Sequence, residues 1–468
     1  MSLVDIATAT SGEILGGTNA MIHGICTDSR QDCSQRLFIA LEGENFDGHD
    51  YIEQAITAGA TAAMLSHDVD LVDTHADLSR IVVKDTLQGM ATLTKSWRQL
   101  FSIPVVAITG SVGKTSLKEM IGNILSIEKA GVVTNGNFNN EIGVPLTVTR
   151  LNASHEFAVV EMGMNHFGEI ARLSEMTLPT IAVINNAGAA HLENLGTIAG
   201  VAKAKGEIIA GLDEKGVLII NGDDDFADYW SELAGNRRVV RFGLNDSMDV
   251  TADYHFDATG TDLSIRYFDE TFDLRIPVVG EHNVMNVLAS IATAKELSIN
   301  VETLQLAFDR YTPPQDRSGR YVINNSVLID DSYNANPTSM QAAIEQLTIE
   351  QSLNSELITI LVLGDMAELG EHAGELHEQI GEAAASNVDY LYVAGKYANA
   401  YKLGFGETTQ VFDSKENLIL SLAQDVTNLQ NKKLQLRILV KGSRSAGMDE
   451  VVAALQTSMR QNENEVQK

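Results

Sequence analysis

The sequence predicts an α/β protein of three domains built on mostly parallel sheets. Three observations lead there. Strand-length apolar runs alternate with segments of helical spacing, the pattern of sheets covered on both faces by helices. The alternation breaks and restarts at two places. At 468 residues the chain is also too long for one compact core, because domains run to roughly 100 to 200 residues.

Residues 1–82 mix short apolar runs with turn clusters, and 37–64 reads strand, glycine-rich turn, helix; a small α/β domain is expected here. A second domain is expected over 83–312, with buried strands at 103–108, 157–160 and 181–184 and a helix over 114–127. The run Thr312-Pro313-Pro314-Gln315-Asp316 follows a helix-like 301–311 and marks the next boundary. Beyond it, over 313–468, strands are expected at 327–329, 359–363, 390–393 and 438–440. The closing QNENEVQK reads as a frayed polar tail.

Composition narrows the function classes. With 33 basic and 63 acidic side chains the formal net charge is -30, which argues against broad binding to nucleic acid or anionic lipid. An anionic ligand therefore needs a local positive site or a metal. The chain has no basic, apolar leader pattern at its start and no run of about 20 apolar residues, so a soluble, unexported protein is expected. Its two cysteines, Cys26 and Cys33, are too few for a tetrahedral zinc site or a disulfide framework. Reduced thiols are expected.

The chemistry gathers at Thr109-Gly110-Ser111-Val112-Gly113-Lys114-Thr115, between a predicted strand and a predicted helix. Free amide groups and the helix dipole at such a junction face a phosphate. Lys114 is placed to neutralise β- and γ-phosphate charge, and the Thr115 hydroxyl to bind the accompanying magnesium. The strict phosphate-loop pattern asks for glycine at the position of Ile108, so the pattern alone fails. Glu161 ends the next strand, where carboxylates face the ligand crevice. His191 follows the third strand and Lys205 lies in VAKAKGE; singly, each is more often a packing or surface residue.

TGSVGKTS, together with NGNFNNEIGVP, VVEMGMNHFGEI, NNAGAAHLENLGTIAGVAKAKGEI, GEHNVMN, DDSYNANP and LGDMAELG, resembles the Mur ligase family over about residues 27–445. The missing glycine is a mark of that family. DSYNANP and EMGMNHFGEI resemble the member that adds a dipeptide rather than single amino acids. The resemblance implies a cytoplasmic ligase of peptidoglycan precursor synthesis, joining D-alanyl-D-alanine to UDP-N-acetylmuramoyl-tripeptide through an acyl phosphate. It implies a P-loop-type central domain and a Rossmann-like C-terminal one, with ATP between them.

By the same resemblance, one magnesium lies at Thr115 and Glu161 and a second at His191 and Lys205, with Lys205 carbamylated. Asn283 and Asn286 are assigned to the adenine side, with helix capping as the competing role. Arg320 is assigned to the phosphates and Asp331 to the ribose. Ser29, Arg30 and Asp47 are assigned to the uridine pocket, while Asn137, Asn139, Asn140, Asn165 and His166 are substrate-side candidates that also suit turns. Tyr333, Asn334, Asn336, Lys441 and Arg444 complete the substrate crevice. No partner chain, nucleic acid or membrane is implied, and a monomer is expected. A sister ligase or a folylpolyglutamate synthetase shares the loop but is expected to lack DSYNANP and the TDSR of residues 27–30; a P-loop kinase needs no amine acceptor, and a nucleotide-binding switch forms no amide.

Overall fold

The computed structural model describes residues 1–69, 78–257, 259–314 and 316–466, and side chains through residue 460. Three sheets carry it, of five, nine and six strands. The α/β, three-domain, mostly parallel expectation is borne out. Gln315 and the last two residues of the polar tail lie outside the described residues.

The central sheet runs in the order Glu270–Ile276, Gly260–Tyr267, Val250–Asp257, Arg238–Phe242, Val217–Asn221, Ile181–Ile184, Val105–Thr109, Phe157–Glu161, Gly131–Val133. Its middle strands are apolar throughout because both faces are covered. Val105–Thr109, Phe157–Glu161 and Ile181–Ile184 are buried at every residue. Side chains alternate between two cores, as strand periodicity requires: Val105, Ala107, Ala158 and Val160 enter one, Val106, Ile108, Phe157 and Val159 the other. The helix Lys114–Leu125 buries Leu117, Ile121 and Ile124 against that second core, a 3.6-residue spacing. Strand pairing puts Thr109, Glu161 and Ile184 at neighbouring carboxyl ends, where the crevice opens.

The N-terminal sheet has the order Glu13–Leu15, Ser79–Val82, Ala62–Leu65, Leu37–Ile39, Ile25–Cys26, antiparallel only at its first pair. Its core residues Leu3, Ile6 and Ile39 join the cluster under the central sheet. The C-terminal sheet has the order Gly319–Ile323, Ser326–Asp331, Gln435–Lys441, Leu357–Leu363, Tyr390–Ala394, Gln410–Phe412. Only its first pair is antiparallel.

Three expectations are corrected, and one feature is added. Cys26 and Cys33 are joined as a disulfide, with Cα atoms 5.8 Å apart, rather than reduced. The tail is helical through Val466, as part of Asp449–Val466. The central sheet continues past its parallel strands into an antiparallel meander over 250–276. Finally, the helix carrying Asn283 and Asn286 starts at Glu281, so both asparagines lie inside it and neither is its N-cap.

Candidate functional site: a cavity between the central and C-terminal sheets

Gly113 is in the left-handed region at φ +81°, which glycine adopts without strain. A Cβ there would meet Asn286 Oδ1 at 2.5 Å and Asn185 Nδ2 at 2.6 Å, so the loop is packed too tightly for any side chain. Asn186 Oδ1 accepts from the amides of Ser111 (3.0 Å) and Val112 (2.9 Å). Asn185 Nδ2 donates to Val112 O (3.0 Å) and Asn286 Oδ1 (2.8 Å). These two asparagines mould the loop, and sequence reading missed them. Their signal was an Asn-Asn pair directly after a buried strand, at a crevice end.

The first turn of the helix at Lys114 has amides without intrahelical partners, next to the loop. Lys114 Nζ donates to Gly110 O at 2.6 Å. Burial pushes its ammonium down, Glu161 opposes this, and the charge of Arg317 adds to it. Thr115 Oγ1 donates to Glu161 Oε2 at 2.9 Å, and Asn139 Nδ2 to Glu161 Oε1 at 2.8 Å. Glu161 is 1% exposed, so this is a buried carboxylate beside a hydroxyl. Such a hard oxygen pair fits magnesium.

A cavity of about 680 Å³ opens here between the domains. Of the sequence-selected residues, Ser111, Val112, Gly113, Lys114, Glu161, His191, Asn283, Asn286, Arg320 and Asp331 line it. So do Asn137, Asn139, Asn140, Asn165, Tyr333, Asn334, Asn336 and Lys441. Thr109, Gly110 and Thr115 are buried and are not among its lining residues. A second cavity, of about 550 Å³, shares Asn140, Gly163, Asn165 and Glu169 with the first and reaches Glu42, Ser66 and Lys84 near the N-terminal sheet.

Lys205 lies outside the lining residues and is 1% exposed. Its ammonium is pushed far down, first by burial and then by the charge of Lys114, with Asp224 opposing. As a cation it would repel magnesium. As a neutral amine it is a nucleophile able to take up CO2, which would turn it into an anionic oxygen ligand. His191 Nδ1 lies 2.5 Å from Glu368 Oε2 of the C-terminal domain.

Arg320 lines the cavity and is ion-paired in this structure. Its guanidinium is bound to Glu350 at 2.7 and 2.9 Å, and Glu350 also takes Arg437 at 2.5 Å. Arg317, three residues earlier, lines the cavity, stacks on Tyr333 at 4.3 Å from the ring centroid and has no carboxylate partner among the described residues. It is the cavity's available guanidinium. Asp331 pairs with Lys441, whose Nζ also donates to Asn334 O at 3.2 Å. Asn336 caps the helix Pro337–Leu353 through Ser339 N at 2.9 Å, and Asn140 Oδ1 accepts from Gly143 N at 2.8 Å; their structural roles are on view. Asn283 Nδ2 donates to Val279 O at 2.9 Å. The half-buried ring of His282, also missed, has an unpartnered Nδ1 and lines the cavity.

Five further selected residues stand apart from both cavities. Ser29 Oγ donates to Gln54 Oε1 at 3.0 Å, and exposed Arg30 folds back on Asp28 at 2.8 Å. Asp47 Oδ1 caps a short turn through His49 N at 2.9 Å. Arg444 is exposed, 5.9 Å from the Tyr333 ring. His166 is exposed too, paired with Glu169 at 3.1 Å.

A strand–loop–helix phosphate site facing an arginine from a second domain defines a nucleotide-dependent enzyme closed between two α/β domains. The chain matches the Mur ligase family catalytic domain over residues 21–98, the Mur ligase middle domain over 108–294 and the Mur ligase glutamate ligase domain over 319–444. It belongs to the Mur ligase family. It is 39% identical over 460 residues, 97% of this chain and 98% of the relative, to the UDP-N-acetylmuramoyl-tripeptide--D-alanyl-D-alanine ligase of Escherichia coli K12. Among solved structures it is similar to MurF from Acinetobacter baumannii, with TM-score 0.88, 31% identity and coverage of 97% and 98%. It is also similar to the MurF ligase of Thermotoga maritima in complex with ADP, with TM-score 0.81, 27% identity and coverage of 94% and 98%.

Proposed function

We propose that the protein is an ATP-dependent amide ligase joining D-alanyl-D-alanine to UDP-N-acetylmuramoyl-tripeptide, at the cytoplasmic stage of peptidoglycan precursor synthesis. One observation carries the reading: Lys114, the Glu161 carboxylate and Arg317, from two domains, line one cavity. The E. coli, Bacillus subtilis and other relatives named for this activity support it. No helix among the described residues is long and apolar enough to cross a membrane.

ATP lies with its phosphates on residues 109–115 and its base and ribose toward Asn283, Asn286 and Asp331. The terminal carboxylate of the tripeptide attacks the γ-phosphorus, and ADP leaves with the bonding electron pair. An acyl phosphate results. The amine of the dipeptide attacks its carbonyl carbon and loses a proton, and phosphate departs to leave the amide. Lys114 and Arg317 hold the phosphoryl oxygens whose charge spreads as the bond breaks. Thr115 and Glu161 would hold one magnesium ion, and His191 and a carbamylated Lys205 a second, which would supply neutralisation of phosphate charge. Ser29, Arg30 and Asp47 are the uridine-side residues. Asn137, Asn139, Asn140, Asn165, Tyr333, Asn334, Asn336, Lys441 and Arg444 form the substrate side. The functional units are 1–82, 83–312 and 313–468 in a monomer.

The test is phosphate release with ATP, magnesium and UDP-N-acetylmuramoyl-tripeptide, comparing D-alanyl-D-alanine with single amino acids and with no acceptor. Sustained release only with the dipeptide is expected; release indifferent to it sinks the reading. Lys114→Ala should abolish turnover with an unchanged circular dichroism spectrum, and an active variant would remove Lys114 from the mechanism.

A further inference from the structure

We infer that Glu368 is a positioning residue through which the C-terminal domain completes the cation site at His191. This rests on the ligase reading above.

Two contacts cross the domain boundary at one point. His191 Nδ1 lies 2.5 Å from Glu368 Oε2, and Glu193 N donates to Glu368 O at 3.2 Å. Both residues are non-glycine in the left-handed region, His191 at φ +56° and Glu368 at φ +62°. Each such backbone costs about 1–2 kcal/mol. Their side chains are 20% and 45% exposed, and an ion pair that open contributes only about 0–1 kcal/mol. Fold stability therefore does not account for the pair, because the strain exceeds what the contact returns.

Imidazole chemistry does account for it. A carboxylate only accepts, so Nδ1 carries a proton, and in the neutral ring the lone pair then lies on Nε2 of a ring that lines the cavity. Metal-ligating histidines usually donate their other N–H to a carboxylate in this way, and losing that partner weakens the ion 10- to 100-fold. Here the carboxylate comes from the other domain. His191 is thus a fully oriented ligand only while the domains meet, and ion binding and closure must favour one another by linkage.

Full-length protein with a non-hydrolysable ATP analogue is titrated with manganese and followed by electron paramagnetic resonance. Wild type should bind two ions per chain. Glu368→Ala should weaken one of them about 10- to 100-fold and leave the other unchanged, while Glu368→Gln, whose amide oxygen accepts the same proton, restores most of the affinity. In small-angle scattering, manganese should shrink the wild-type analogue complex and leave the Glu368→Ala complex unchanged. A single ion on wild type, equal affinities in Glu368→Ala, no rescue by glutamine, or equal compaction in both proteins overturns the proposal. Those results do not bear on the dipeptide-dependent phosphate release that decides the ligase reading.

Discussion

Glu350 receives both terminal nitrogens of Arg320 and the Nε of Arg437, and burial opposes its ionisation while the two arginines hold its carboxyl below the usual range. Arg320→Ala should therefore act on stability, by about 2 kcal/mol, since the buried carboxylate keeps only one partner. Arg317→Ala should leave the melting temperature unchanged and lower kcat about 100- to 1000-fold, the loss typical of one transition-state donor. The reverse pattern would return the phosphate role to Arg320. His282 carries a pH dependence. Burial pushes its imidazole down to about 4; Asp331 opposes the shift and Lys441 adds to it. Between pH 6.5 and 4 the unfolded chain takes up a proton that the folded chain refuses. Stability present above pH 6.5 is then lost as pH falls toward 4, by at most about 1.4 kcal/mol per unit from this group. Urea unfolding at several pH values should show a shallower acid loss in His282→Asn than in wild type; parallel curves would dismiss the effect.

Among the elements, legibility followed burial. Ile181–Ile184 was read to the residue, and Phe157–Glu161 to within one, because two-sided burial leaves an unbroken apolar run. The strand–loop–helix around Gly113 was equally plain. The meander over 250–276 was not, since one face is solvated. Val250, Ala252, Leu263, Ile265, Leu274 and Ile276 are buried there, with Asp253, Asp262 and Asp273 between them on the open side, so each strand shows only half a signal. The start of the Glu281–Glu296 helix was not legible because its polar first turn, Glu-His-Asn, reads as loop. Arg317 was passed over in favour of Arg320 for a different reason. What separates them is Glu350, 30 residues beyond Arg320 on another element, and no local pattern reports a partner at that range. The Cys26–Cys33 pairing likewise depends on how the turn between them closes.

At the scale of the molecule, the charge of -30 is opposed by cations gathered at the domain seam. Lys114 belongs to the central domain, Arg317 and Lys441 to the C-terminal one, and all three line the same cavity. The cations that line the cavity thus come from two domains. The second cavity shares Asn140 and Asn165 with the first and extends the crevice toward the N-terminal sheet, where the proposed tripeptide substrate would reach. ATP bound without its acceptors then faces an incomplete site, because closure draws on binding energy from each ligand. Basal phosphate release from ATP and magnesium alone should be weak. Adding the tripeptide without the dipeptide should give a burst of ADP no larger than about one per chain, as the acyl phosphate waits for its amine. Quench-flow counting of ADP distinguishes the cases: steady turnover without acceptor, at a rate near that of the complete mixture, would mean that the central domain hydrolyses ATP unaided and that closure between the domains does not gate the chemistry.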